Sequence, residues 1–128
     1  MRPALVDSDV LIDVLRGLPA ARDCLVAELR EGPVFGSVVT RAEILAGTRA
    51  GEEEHTTAHL RAIRWLDVDA VIADQAGALA REHRRALPGI GIADYLIAAT
   101  TQSLALRLLT RNVRHFPMLQ GLAPAYRA

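Results

Sequence analysis

Three carboxylates stand where carboxylates are costly. Asp94 is the only charged residue between Arg85 and Arg107, in a stretch that otherwise reads as small and aliphatic side chains. Asp7 sits in ALVDSDVLI and Glu43 in VFGSVVTRAEILAG. A buried carboxylate is expensive unless something pairs with it, and nothing in the segment around Asp94 does. Three such acids, far apart in sequence and each in a core-like setting, point to one shared site. Its simplest occupant is a hard divalent cation, which takes oxygen ligands.

Each acid also has a structural reading. Asp7 suits the N-cap of a following helix, Glu43 forms a T-x-x-E capping box with Thr40, and Asp94 lies in a first helical turn, where the dipole favours negative charge. Taken together these readings weaken, because each must separately explain a carboxylate in an apolar segment, whereas a shared cation explains all three. Ser8 and Thr110 flank the proposed site and could hydrogen-bond an acid or a phosphate, although both types are ordinary caps. Asp9 lies two residues from Asp7 and is a supporting acid, with a plain capping role as the alternative; Asp13 is read as structural. His55 and His59, four apart with no third ligand, are read as a surface pair, and Cys24 as a small apolar residue.

The elements that must position these residues alternate between short apolar runs and helical patterns. Ala4–Val6 is a strand stopped by Asp7, and Ser8–Leu15 has helical spacing closed by Gly17 and Pro19. A second helix spans Ala20–Glu31, followed by a strand over Val34–Val38 and a helix opened by Thr40 that runs to about Gly47. Glu52–Arg64 is a polar-faced helix and Trp65–Val68 a strand. Asp69 caps a helix over Ala70–Leu87, Ile92–Leu104 is a buried helix, and Leu106–Leu109 is a fourth strand, with Met118–Ala123 as a candidate fifth. This alternation predicts an α/β fold: three layers, α/β/α, around a short parallel sheet of four to five strands. Ligands of such sheets gather at the carboxyl ends of the strands. Asp7 follows the first strand, Glu43 opens the helix after the second, and Asp94 opens the helix before the fourth. Asn112 lies just after the fourth strand, so all four are expected on one edge.

The bulk numbers fit one domain, 1–128, with 51% hydrophobic residues and 15 basic against 15 acidic ones. Every basic residue is Arg, which excludes lysine-dependent phosphate binding and Schiff-base chemistry. It leaves only planar, bidentate cations suited to phosphate. Arg111 and Arg114 are the best placed to contact a nucleic acid beside the acids; Arg81, Arg84 and Arg85 are weaker candidates whose alternative is a solvated helix face. A single cysteine excludes an internal disulfide and a cysteine metal site. No signal sequence or bilayer-spanning run is visible, so a cytoplasmic location and no membrane partner are expected.

Four motifs in order, LVDSDVLIDVLRG, SVVTRAEILAG, GIADYLIAA and LLTRNVRHFP, resemble the PIN-domain ribonucleases, and most closely the VapC-like toxins of bacterial toxin–antitoxin pairs. The resemblance covers nearly the whole chain. It implies a metal-dependent endoribonuclease in which Asp7, Glu43 and Asp94 hold Mg²⁺ or Mn²⁺ and the cation activates a water against an RNA phosphodiester, leaving a 5′-phosphate and a 3′-hydroxyl. It also implies a homodimer and a cognate antitoxin that covers the site. The final motif departs from the family where a fourth acid often stands. Asn112 offers an oxygen without charge, and His115 suits Mg²⁺ poorly, so a second metal is expected to bind weakly.

Two other readings compete. Asp7-Ser-Asp9-Val resembles the opening of haloacid dehalogenase-like phosphatases, with Asp7 as nucleophile, but that family needs a lysine and a later acid pair that this chain lacks. The other is a PIN-like module that binds without turnover, which the uncharged Asn112 keeps open.

Overall fold

The computed structural model describes residues 1–127. Four strands, β1 (Ala4–Val6), β2 (Val34–Ser37), β3 (Arg64–Leu66) and β4 (Arg107–Leu109), form one sheet. All neighbours pair in parallel, in the order β3-β2-β1-β4. The helices are α1 (Ser8–Leu15), α2 (Pro19–Glu31), α3 (Val38–Ala46), α4 (Glu53–Leu60), α5 (Ala70–His83) and α6 (Ile92–Ser103), with one 3-10 turn at Val113–His115.

Side chains alternate across the strands and so feed two cores. Leu5 and Leu108 pack with α5 and α6, around Ile72, Ala76, Tyr95, Ile97 and Phe116. Val6 and Val34 pack with α1, α2 and α4, around Val10, Leu11, Leu25 and Leu60. Helices therefore cover both faces of the sheet, as a buried parallel sheet requires. Gly36 in β2 has a specific reason to be glycine: a Cβ there would lie 2.7 Å from the ring of Trp65 on the neighbouring strand. That ring is held by its own N–H, which donates to the Leu60 carbonyl at 2.9 Å, and Arg41 lies 5.2 Å from the ring centroid.

Several element ends differ from the sequence reading. The helix expected to open at Thr40 begins at Val38, because Ser37 takes the N-cap. Ser37 is extended (φ −78°, ψ 145°) and its hydroxyl accepts from the Val39 N–H. Thr40 and Glu43 therefore form no capping box, and Thr40 is buried inside the first turn with no partner for its hydroxyl. Pro19 starts α2 at the position where a missing N–H costs nothing. The polar helix stops at Leu60 and α5 at His83, each shorter than periodicity predicts, and β3 starts one residue earlier, at Arg64, and ends at Leu66. Met118–Ala123 forms no fifth strand. Gly121 takes a left-handed φ of 72° that breaks an extended run. The segment reaches β4 further on, where the Ala125 N–H donates to the Thr110 carbonyl at 2.9 Å.

Candidate metal-dependent active site

The carboxyl ends of β1, β2 and β4 and the first turn of α6 meet at one edge. Asp7 ends β1 and caps α1, its Oδ1 accepting the Ser8 N–H at 2.8 Å. The cap thus fixes one oxygen of the Asp7 carboxylate and leaves the other to a partner from another strand. That oxygen, Oδ2, accepts the Thr110 hydroxyl at 2.9 Å from the end of β4. The Thr110 hydroxyl also lies 3.3 and 3.4 Å from the two oxygens of Asp9, and it accepts the Asn112 N–H at 3.0 Å. Ser8, Asp9 and Thr110, read from sequence as supporting residues, all touch this network or its neighbours.

Asp94 is half-buried, with a side-chain exposure of 25%, and its Oδ2 lies 3.1 Å from Nδ1 of His115. The partner its own segment lacks comes from the 3-10 turn after β4. Glu43 projects from α3, exposed, one turn beyond the orphaned Thr40 hydroxyl.

Electrostatics tie the three acids together. Burial pushes the Asp7 carboxyl up to about 6; repulsion from Asp9 and Asp94 adds to this, while the Thr110 and Ser8 hydrogen bonds oppose it. Partial loss of solvent around the otherwise exposed Glu43 raises its carboxyl, as does the charge on Asp94, against a lowering contact from the Ser8 side chain. Asp94 is therefore felt by both other acids although the three come from different elements. Repulsion of this kind is what an absent positive charge would relieve. The donor set is all oxygen, and its three carboxylates carry three formal negative charges. All of this fits a hard divalent cation. Among the described residues no three His, Cys, Asp or Glu side chains stand close enough together to hold a metal ion as placed. The acids line an open edge instead.

The remaining candidates divide. Asn112 is exposed, with its backbone N–H on Thr110. Arg114 is exposed and makes no ion pair among the described residues. Arg111 is committed: its N–H donates to Asp9 Oδ2 at 2.9 Å, and its guanidinium donates to Asp13 Oδ2 at 2.7 Å. Tyr126 joins the same carboxylate, its hydroxyl donating at 2.6 Å. Sequence reasoning missed Tyr126, and no local signal marks it, since its partner lies 113 positions away.

Comparison with known proteins gives the family. A family model described as "PIN domain" matches residues 4–119. Ribonuclease VapC10 of Mycobacterium tuberculosis is 47% identical over 122 residues, covering 95% of this chain and 92% of its own length. Ribonuclease VapC19 of the same organism is 42% identical over 123 residues, covering 95% and 98%. Among solved structures, a toxin–antitoxin complex from Klebsiella pneumoniae superimposes with a TM-score of 0.82 at 28% identity, covering 98% of this chain and 99% of that one. FitAcB from Neisseria gonorrhoeae does so with a TM-score of 0.66 at 26% identity, covering 88% and 90%. The chain belongs to the PIN-domain family, within its VapC branch.

Proposed function

We propose that this protein is a metal-dependent endoribonuclease, the toxin of a toxin–antitoxin pair, acting on cytoplasmic RNA. The observation that carries the reading is the placement of Asp7, Glu43 and Asp94 by three separate elements at the carboxyl edge of one parallel sheet. The names of the 47% and 42% identical relatives, both ribonucleases, support it.

Asp7, Glu43 and Asp94 would hold Mg²⁺ or Mn²⁺, with Asn112 as an uncharged oxygen nearby. The bound cation supplies charge that activates a water and offsets the charge on the attacked phosphate. Thr110 and Ser8 fix the direction of Asp7, and His115 fixes that of Asp94, which is the work of outer partners at a metal site. Arg114, exposed beside the acids, is the cation free to meet an RNA phosphate. A phosphatase using Asp7 as nucleophile fits poorly, because the chain holds no lysine and no later acid pair of the kind that family uses.

The antitoxin partner and a homodimer belong to the same reading. A groove of about 120 Å³ lies between α1 and α3, lined by Ile12, Leu15, Glu43 and Ile44, and Leu45 on α3 is 48% exposed. An amphipathic antitoxin helix would seat there, next to Glu43. No helix among the described residues is long and apolar enough to cross a membrane.

The test is cleavage of total RNA with Mg²⁺ or Mn²⁺ and with chelator, beside Asp7→Asn, Glu43→Gln and Asp94→Asn. The reading expects metal-dependent cuts and losses exceeding the ~10–100-fold that outer partners of a metal command. Equal inertness of wild type and Asp94→Asn, with RNA still bound, would leave only a binding module.

A further inference from the structure

We propose that Tyr126 and Asp13 are positioning residues of the active site. They form a latch that holds Arg111, and through it Thr110, against α1. The inference rests on the nuclease reading above, and neither residue touches the candidate metal ligands.

Asp9 and Asp13 are one turn apart on α1 and share a face. Arg111 spans them, its backbone N–H on Asp9 at 2.9 Å and its guanidinium on Asp13 at 2.7 Å. The Tyr126 hydroxyl donates to the same Asp13 oxygen at 2.6 Å, while its ring centroid lies 5.7 Å from the guanidinium carbon. One carboxylate oxygen thus accepts two short bonds, from groups that also lie within cation–π range of each other. The residue before Tyr126 closes the arrangement: Ala125 donates its N–H to the Thr110 carbonyl at 2.9 Å. Thr110 is therefore gripped at its carbonyl by the C-terminal segment and, through its neighbour Arg111, by α1. Its hydroxyl is the group that donates to Asp7.

An ordinary exposed ion pair contributes little and would position nothing. This one differs. The Arg111 side chain is 41% exposed but that of Asp13 only 20%, the hydrogen bonds from Tyr126 and Arg111 hold the Asp13 carboxyl below its ordinary value against the opposing effect of burial, and the Tyr126 hydroxyl shares the oxygen that Arg111 meets. The same commitment takes the Arg111 guanidinium away from substrate. Misplacing a catalytic group by a fraction of its bond length is costly in rate rather than in binding. Loss of the latch should therefore lower kcat and leave KM alone.

The experiment uses the full chain with Mn²⁺ and a defined RNA, comparing wild type, Tyr126→Phe, Asp13→Asn and the double variant. Tyr126→Phe keeps the ring and removes only the donor, so the fold is retained; a melting curve checks this. The latch predicts that kcat falls by about tenfold with KM unchanged, and that the double variant is no worse than the weaker single one, as for residues acting as a unit. It also predicts faster amide exchange at Arg111 and Asn112 in Tyr126→Phe, measured in chelator, where RNA cleavage plays no part. A kcat within about twofold of wild type in both single variants overturns it. So does a raised KM at constant kcat, which would make Arg111 a substrate contact. If wild type cleaves no RNA, the nuclease reading fails by itself; unchanged amide exchange then overturns the latch, and faster exchange retains it.

Discussion

The hydroxyl of Thr110 donates to Oδ2 of Asp7 at 2.9 Å across 103 positions of sequence, joining the ends of two neighbouring parallel strands. Asp7 is 6% exposed and Thr110 fully buried, so water cannot replace the bond. Thr110→Val keeps the shape and removes the donor. The metal-free variant should lose about 1–3 kcal/mol, the cost of an unsatisfied buried acceptor, and cleavage should fall by ~10–100-fold. Urea denaturation in chelator and cleavage rates at saturating metal measure the two effects separately. A variant matching wild type in both would remove Thr110 from the site.

Asp7 also sets a pH dependence in the metal-free protein. Its folded carboxyl titrates at about 6 against an ordinary 3.8, so the folded state binds the proton more tightly than the unfolded chain does. The stability this contributes is fully present below about pH 3.8 and is lost as pH rises through about 6. The loss is on the order of 3 kcal/mol at neutral pH. Asp7→Asn should therefore be more stable than wild type in chelator at neutral pH, with the difference closing toward acid. Saturating Mg²⁺ should close it from the other side by stabilising wild type alone. Denaturation midpoints across this pH range, with and without metal, give the answer.

Arg114 is expected to act on binding. Arg114→Gln should raise KM without a matching fall in kcat and reduce the slope of log affinity against log salt by about 1, one phosphate contact. Asp13-paired Arg111 should change that slope much less when replaced by Gln. A salt titration of RNA affinity in both variants decides between the two arginines, and a larger slope change at Arg111 would reverse the assignment.

Gly36→Ala should destabilise without touching chemistry. The new Cβ would meet the Trp65 ring at 2.7 Å, and overpacking of this kind costs roughly 1–3 kcal/mol. The denaturation midpoint should fall while cleavage per folded molecule is unchanged.

The acids themselves were legible because carboxylates in apolar segments are anomalies that need no neighbour to be recognised. Their convergence followed from the strand–helix alternation, since parallel sheets collect functional groups at one edge. Helix ends were less legible. Thr40 and Ser37 are both good caps by type, and the choice fell to Ser37 because β2 ends there and leaves it extended. Nor did strand propensity decide Met118–Ala123, where Gly121 turns the chain and a single backbone bond at Ala125 ties the segment to the sheet.

By itself the sequence determined the layered α/β plan and marked three acids in apolar segments. These depend on periodicity and on caps, which act over a few residues. The tertiary structure alone decided what holds Asp7, Asp94 and Asp13: Thr110 for Asp7, His115 for Asp94, and Tyr126 with Arg111 for Asp13. Those partners are 21 to 113 positions away. Only the packing of the strands and of the chain after β4 brings such distant residues within a hydrogen bond's length.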